Sequence, residues 1–181
     1  MKNQNLDIAI LLERCAANDE KAQLALYNRY YKAMFNVSYR IISDHALAED
    51  IIQECFLKAF KKLDSFSGNV TFGAWLKKIV VNASITELKK TNKYPVESIS
   101  DGMEIADWEA EESINYNELK VETVLKTIQS LKPNYKIILT LFFIEGYDLE
   151  EITGILNITN ENCRTMMSRA KESLRNKMSQ L

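Results

Sequence analysis

Turn-forming residues are scarce in this chain of 181 residues, which has only 5 glycines and 2 prolines. Sheet-rich folds draw on more of both at their turns, so the scarcity argues against a sandwich or barrel and for an all-α protein. His45 is the only histidine, which removes His-dependent catalytic triads and the paired Glu-x-x-His ligands of helical di-iron bundles. It reads as a surface helix residue. Cys15, Cys55 and Cys163 are odd in number, far apart and without a Cys-x-x-Cys pair. Neither a disulfide framework nor a zinc site is expected, and they read as buried free thiols. With no cofactor motif, no metal constellation and no convergent nucleophile and base, an enzyme is the least favoured class. Long apolar runs are missing too. Ile8 to Leu12 is cut short by Glu13 and Arg14, too soon for a signal-peptide core or a membrane span. A cytoplasmic protein without direct membrane insertion is expected.

What the chain does have is 46% hydrophobic residues, enough for two small cores. Its net charge of -2 hides a strong asymmetry. Residues 1–90 carry 13 Lys/Arg against 10 Asp/Glu, residues 91–120 carry 2 against 8, and residues 121–181 carry 8 against 7. The middle stretch, around Tyr94-Pro95 and from Asp101-Gly102 to Glu112, has no apolar repeat long enough for a core of its own. The expected organisation is therefore two small helical domains, residues 1–92 and 121–181, joined by an acidic linker over 93–120.

In the first domain Asp44 is a candidate N-cap, and the helix after it buries Ala48, Ile51, Ile52, Cys55, Phe56, Ala59 and Leu63 along one face. The opposite face carries Asp50, Gln53, Glu54, Leu57 and Lys61. An apolar Leu among acids and an amide suits a docking surface, although alone it fits an ordinary solvated face better. A further helix begins near Thr71, after the turn Phe66-Ser67-Gly68-Asn69, with a core stripe of Phe72, Leu76, Ile79, Val80 and Ala83. Its far face carries Lys78, Asn82, Ile85 and Lys89, with Trp75 at the edge and Lys77 and Lys90 nearby. Cations beside an aromatic ring suit single-stranded nucleic acid, since cations track phosphates while rings stack on unpaired bases. The bland alternative is that Trp75 completes the core and the lysines solvate the helix.

The last third is more specific. Pro133 suits a first helical turn, and Gly146 suits the end of the helix that contains Ile137, Ile138, Leu141 and Phe142. A short helix, Asp148 to Leu156, offers Leu149, Ile152 and Leu156 to a core. Asn157-Ile158-Thr159 then makes a tight turn with Thr159 as the next N-cap. This is helix-turn-helix spacing. The final helix buries Cys163, Met167, Ala170 and Leu174, and from Asn162 onward the chain has 5 Lys/Arg against 1 acid. Positive charge is thus concentrated on the helix that such a module inserts into the major groove. Arg164, Thr165 and Ser168 are candidates for base edges, and Arg169, Lys171 and Arg175 for phosphates. With about three to five phosphate contacts, such a module would bind DNA weakly, at ~10⁻⁴ to 10⁻⁶ M at physiological salt. Attachment to a larger machine would supply the missing affinity.

The chain resembles, over nearly its whole length, the sigma factors of bacterial RNA polymerase, and specifically the two-domain extracytoplasmic-function group of the sigma-70 family. Residues 48–60, Ala-Glu-Asp-Ile-Ile-Gln-Glu-Cys-Phe-Leu-Lys-Ala-Phe, are similar to the family's A-E-D-x-x-Q-E-x-F-x-x-A-W, with Phe60 in place of Trp. Phe72-Gly73-Ala74-Trp75-Leu76-Lys77-Lys78-Ile79 followed by Asn82 resembles F-x-x-W-L-x-x-I-x-x-N. Ser168-Arg169-Ala170-Lys171 followed by Leu174-Arg175 resembles S-R-A-R-x-x-L-R.

The resemblance implies that Asp50, Gln53, Glu54, Leu57 and Lys61 dock on core RNA polymerase. It implies that the loop Asp64 to Val70, with Phe66, Ser67 and Asn69, captures an unpaired base of the promoter's −10 element, with Trp75, Lys78, Asn82, Lys89 and Lys90 along the adjoining helix. The last helix, with Thr159, Asn160, Arg164, Thr165, Ser168, Arg169, Lys171 and Arg175, would read the −35 element. The acidic linker would thread toward the RNA exit path and mimic RNA charge. An anti-sigma factor, soluble or membrane-bound, is an implied partner; no cofactor and no metal is implied.

The chain departs from the family pattern at Thr86 and Lys89, where Asp and Arg are common, at Glu161-Asn162-Cys163 in place of Gly-Thr-Val, and at Thr153-Gly154 in place of Ala-Glu. An unusual promoter preference is expected. Two rival readings remain. One is a stand-alone helix-turn-helix regulator, binding duplex DNA as a dimer without polymerase. The other is a helical adaptor that binds protein only, in which Arg164 and Arg169 would be irrelevant to DNA.

Overall fold

The computed structural model describes residues 2–91 and 118–180, and every regular element among them is helical. The chain divides into two compact units, Met1–Leu88 and Lys89–Leu181. Most of the acidic stretch 93–120 lies outside the described residues, and its last three residues are already the first turn of a helix.

In the first unit the helices are α1 (Lys2–Ala16), α2 (Glu20–Ile42), α3 (His45–Lys61) and α4 (Phe72–Lys90), with a single 3₁₀ turn at Leu63–Ser65. Their ends follow from local chemistry. Asp19 caps α2 by accepting from the amides of Lys21 and Ala22 at 2.9 and 3.2 Å, while the Arg14 guanidinium holds its other oxygen at 2.9 and 2.7 Å. Ser43 leaves α2 in the left-handed conformation, and the expected cap Asp44 accepts from the Leu47 amide at 3.1 Å. Thr71 accepts from the Ala74 amide at 3.2 Å and opens α4.

The α3 stripe Ala48, Ile51, Ile52, Cys55, Phe56 and Ala59 is buried as its periodicity demands, and Leu63 is buried in the 3₁₀ turn beyond. The α4 stripe differs from expectation. Phe72, Leu76 and Val80 are buried, but Ile79 and Ala83 are only half-buried, while Val81, Ser84, Ile85 and Leu88 are buried. Ile85, placed on the outer face by sequence, is 2% exposed. α4 therefore buries a broad arc, and Ser84 donates to Ser38 of α2 at 3.0 Å inside it. At the start of α4 a Cβ on Gly73 would stand 3.0 Å from Cε1 of Tyr30, so the missing side chain is what lets α4 lie against α2 there.

The second unit holds α5 (Glu118–Gln129), α6 (Pro133–Leu139), a π turn over Thr140–Ile144, α7 (Leu149–Leu156) and α8 (Asn160–Met178). Pro133 sits in the first turn of α6. Gly146, at φ 76, reverses the chain after the π turn in a conformation that L side chains rarely adopt. Asp148 and Glu151 form a reciprocal capping box on α7. Asn157, at φ 57, makes the tight turn, and the Thr159 hydroxyl accepts from the Asn162 amide at 3.2 Å to start α8. Cys163, Met166, Met167 and Ala170 seal α8 to its neighbours; Leu174, expected in that seam, is only half-buried.

Candidate nucleic-acid interface

On α3, Asp50, Gln53, Glu54, Leu57 and Lys61 are all exposed, on the side away from the buried stripe. Leu57 is 60% exposed although the helix had a core to offer it. Glu54 pairs with Lys58 at 2.9 Å, and that hydrogen bond lifts the Lys58 ammonium above its ordinary value.

The loop that follows is anchored at one side by an aromatic cluster. The Phe66 ring lies 5.8 Å from Phe72 and 5.4 Å from Trp75, and Trp75 lies 5.6 Å from Phe72. Phe66 and Trp75 are consequently half-buried rather than free platforms, with their remaining surface toward solvent. Ser67, Gly68, Asn69 and Val70 form the exposed tip. Along α4, Lys78, Asn82 and Lys90 are exposed and Lys89 is half-buried. At 100° per residue Trp75, Lys78, Asn82 and Lys89 share one side of the helix.

Thr159 spends its hydroxyl on the cap, and Asn160 is exposed in the first turn of α8. Arg164, Ser168 and Arg175 are exposed and, by helical spacing, share one side of the open arc. Thr165 and Arg169 are half-buried at one margin and Lys171 at the other. Glu161 and Glu172 are exposed on the same arc, so the face is basic but interrupted. Burial of the Cys163 thiol against Leu149, with its Sγ 3.7 Å from that carbonyl, raises its pKa and makes it a packing group at the elbow.

A second aromatic feature escaped the sequence reading. Tyr27, Tyr31, Phe35 and Tyr39 recur every fourth residue of α2, with successive ring centroids 5.2, 5.9 and 5.8 Å apart. The Tyr31 hydroxyl donates to Glu49 at 3.2 Å, and His45 packs on Phe35 at 4.8 Å. The i, i+4 recurrence of rings was the available signal. Among the described residues no cluster of His, Cys, Asp and Glu could hold a metal ion, and no helix is long and apolar enough to cross a membrane.

Two regions of one family match the chain: sigma-70 region 2 over residues 26–94 and sigma-70 region 4 over residues 122–174. The chain belongs to the sigma-70 family. Within it the sigma factor falls in the extracytoplasmic-function group. It is 29% identical to the ECF RNA polymerase sigma-E factor of Escherichia coli (strain K12), covering 99% of this chain and 98% of that protein. It is 28% identical to the sigma-E factor of Haemophilus influenzae, covering 94% and 95%. Solved structures share the fold. CnrH in complex with the cytosolic domain of CnrY matches at TM-score 0.53, with 19% identity and coverage of 94% of this chain and 96% of that one. The sigma factor RpoE of Bartonella quintana, in complex with the anti-sigma factor NepR, matches at 0.54, with 20% identity and coverage of 99% and 98%. As a sigma factor, this protein directs promoter-specific transcription initiation by RNA polymerase, which is work done by binding rather than by covalent chemistry.

Proposed function

We propose that the two units divide promoter recognition along the surfaces just described. The α3 face of Asp50, Gln53, Glu54, Leu57 and Lys61 docks on core RNA polymerase. The tip Ser67 to Asn69, with Phe66 behind it, receives an unpaired base of the −10 element, and Trp75, Lys78, Asn82, Lys89 and Lys90 follow the separated strand. The α8 arc of Asn160, Arg164, Thr165, Ser168, Arg169 and Arg175 enters the major groove at the −35 element, with the amides freed near Thr159 facing the backbone.

The observation that carries this reading is the outward placement of five adjacent side chains on α3 opposite an uninterrupted buried stripe. Leu57, 60% exposed among Asp50, Gln53, Glu54 and Lys61, gives that face an apolar centre with a polar rim, the composition of a docking surface. Weak intrinsic DNA affinity then becomes useful, because it leaves promoter choice to the assembled enzyme. Residues 1–92 and 121–181 are the working domains, and the acidic segment 93–120 connects them through the polymerase. Action on polymerase places the protein in the cytoplasm. The structural relatives named above were solved with CnrY and with the anti-sigma factor NepR. An anti-sigma factor, soluble or membrane-bound, is accordingly proposed as the regulatory partner of this chain.

Run-off transcription by core RNA polymerase, with and without this protein, on a library of upstream fragments tests the assignment. Discrete starts that require the protein and vanish with Glu54→Arg are expected. If no fragment fires while the protein alone shifts specific duplexes, the polymerase-docking reading fails and a free-standing regulator replaces it.

A further inference from the structure

The core seam of α8 weakens along its length. Cys163, Met166, Met167 and Ala170 are buried, but Leu174 is only half-buried, so the second half of the helix is held less by apolar packing. Two lysines act at that point. Lys177 donates to the Ser130 carbonyl at 3.0 Å. The Lys171 ammonium lies 5.6 Å from the Phe142 ring centroid and 5.4 Å from that of Phe143.

Those two rings stand at 87° with centroids 5.1 Å apart, forming a corner that the ammonium occupies. Both distances fall within the roughly 6 Å over which a ring quadrupole attracts a cation. The corner belongs to the π turn, whose Glu145 amide reaches back five residues to the Thr140 carbonyl at 3.0 Å. Phe143 remains 49% exposed there. A large ring left so open gains from a cation beside it more than from solvent.

By residue type and position Lys171 ranks with the phosphate contacts. We propose instead that Lys171 is a positioning residue, clamping the second half of α8 onto the Phe142–Phe143 corner so that Arg164, Ser168 and Arg175 meet DNA at a fixed tilt. The proposal rests on reading α8 as the DNA-reading helix. Lys171 is half-buried at the margin of the arc, with its ammonium over both ring faces. Reaching a phosphate would require it to give up both rings.

The test uses the full chain in three measurements. In the free protein, the Lys171 Cε protons are expected upfield from ring currents, and the Phe142→Leu, Phe143→Leu pair should return them to ordinary values. Binding to a short random-sequence duplex is then titrated across salt concentrations. A lost phosphate contact lowers the salt slope by about one, whereas Lys171→Met is expected to leave it unchanged. Last, holoenzyme transcription from the fragment most active in run-off should fall roughly twofold to tenfold with Lys171→Met, the range a partly buried cation–π contact implies. It should be restored by Lys171→Arg and reproduced by the Phe pair.

A salt slope reduced by about one in Lys171→Met, with the Phe pair behaving as wild type, makes Lys171 a phosphate contact and overturns the proposal. Loss of thermal stability with transcription unchanged overturns it as well. Arg164→Ala run in parallel separates the two levels: if it leaves DNA binding intact, the α8 reading itself has failed, whatever Lys171 does.

Discussion

The two units present their surfaces by different means. The first relies on long helices whose buried stripes determine what faces outward: α2 and α3 have 23 and 17 residues, and their outer faces are what the core leaves over. The second has an 8-residue helix, α7, between two fixed turns, and its geometry is set by the capping box at Asp148 and Glu151, the left-handed Asn157 and the Thr159 cap. Long helices carry orientation in their packing; short ones must carry it in their ends, because few turns remain to average out a misplaced terminus.

The harshest test of that contrast removes core volume from each unit. Phe56→Ala, at a fully buried ring, is expected to cost about 3–5 kcal/mol, and Ile152→Ala about 2–5 kcal/mol, by urea unfolding followed through circular dichroism. A sharper one makes the same cap substitution twice. Asp44→Ala and Asp148→Ala should each cost about 0.5–2 kcal/mol, with the larger loss at Asp148, where the box also engages Glu151. Equal losses would break the comparison. Gly154→Ala should act in the opposite direction, stabilising by about 0.4–1 kcal/mol in thermal melts, because an added Cβ there meets nothing within 4 Å.

The thiols give a kinetic check on both cores. Burial pushes Cys55 up to about 11 and raises Cys15 and Cys163. Iodoacetamide at mildly alkaline pH should therefore label none of them until the protein unfolds. The smallest expected effect is at Asp19, whose carboxyl is held below its ordinary 3.8 first by the Arg14 guanidinium and then by the Ala22 amide. A carboxyl with a lowered folded value contributes fully above 3.8 and loses that contribution as pH falls through the lowered value. The stability advantage of the wild type over Asp19→Asn should be constant above 3.8 and shrink as pH falls through that acidic window, read by acid titration of both proteins.

Much of this was legible in the residues because local chemistry and packing agree. The α3 stripe, the Asp44 cap, Pro133, Gly146 and the Asn157-Ile158-Thr159 turn each have one plausible geometry, and the structure adopts it. Where a helix buries more than one stripe the pattern misleads: α4 takes Ile85 inward because α4 is enclosed over a broad arc, which single-face periodicity does not express. Leu174 departs in the opposite direction: expected in the seam, it is only half-buried, because the apolar cover of α8 thins toward its C-terminal half. In the candidate interfaces, residue type identified basic and exposed positions but not their engagements. Lys171 meets two rings on the π turn, and Trp75 leans on Phe66 in the loop ahead of α4 as well as on Phe72, and no periodicity reveals that turn or that loop.

The aromatic anchorage of Phe66 has one further consequence, for the entropy of capture. Phe66 fixes one end of the loop and the Thr71 cap fixes the other, leaving Ser67, Gly68, Asn69 and Val70 between them. Immobilising a backbone residue costs about 1–2 kcal/mol, so a strand that settled on this loop, as proposed, would have at most these four residues left to order. On the proposed reading, the part of that cost belonging to the anchored ends was met when the protein folded.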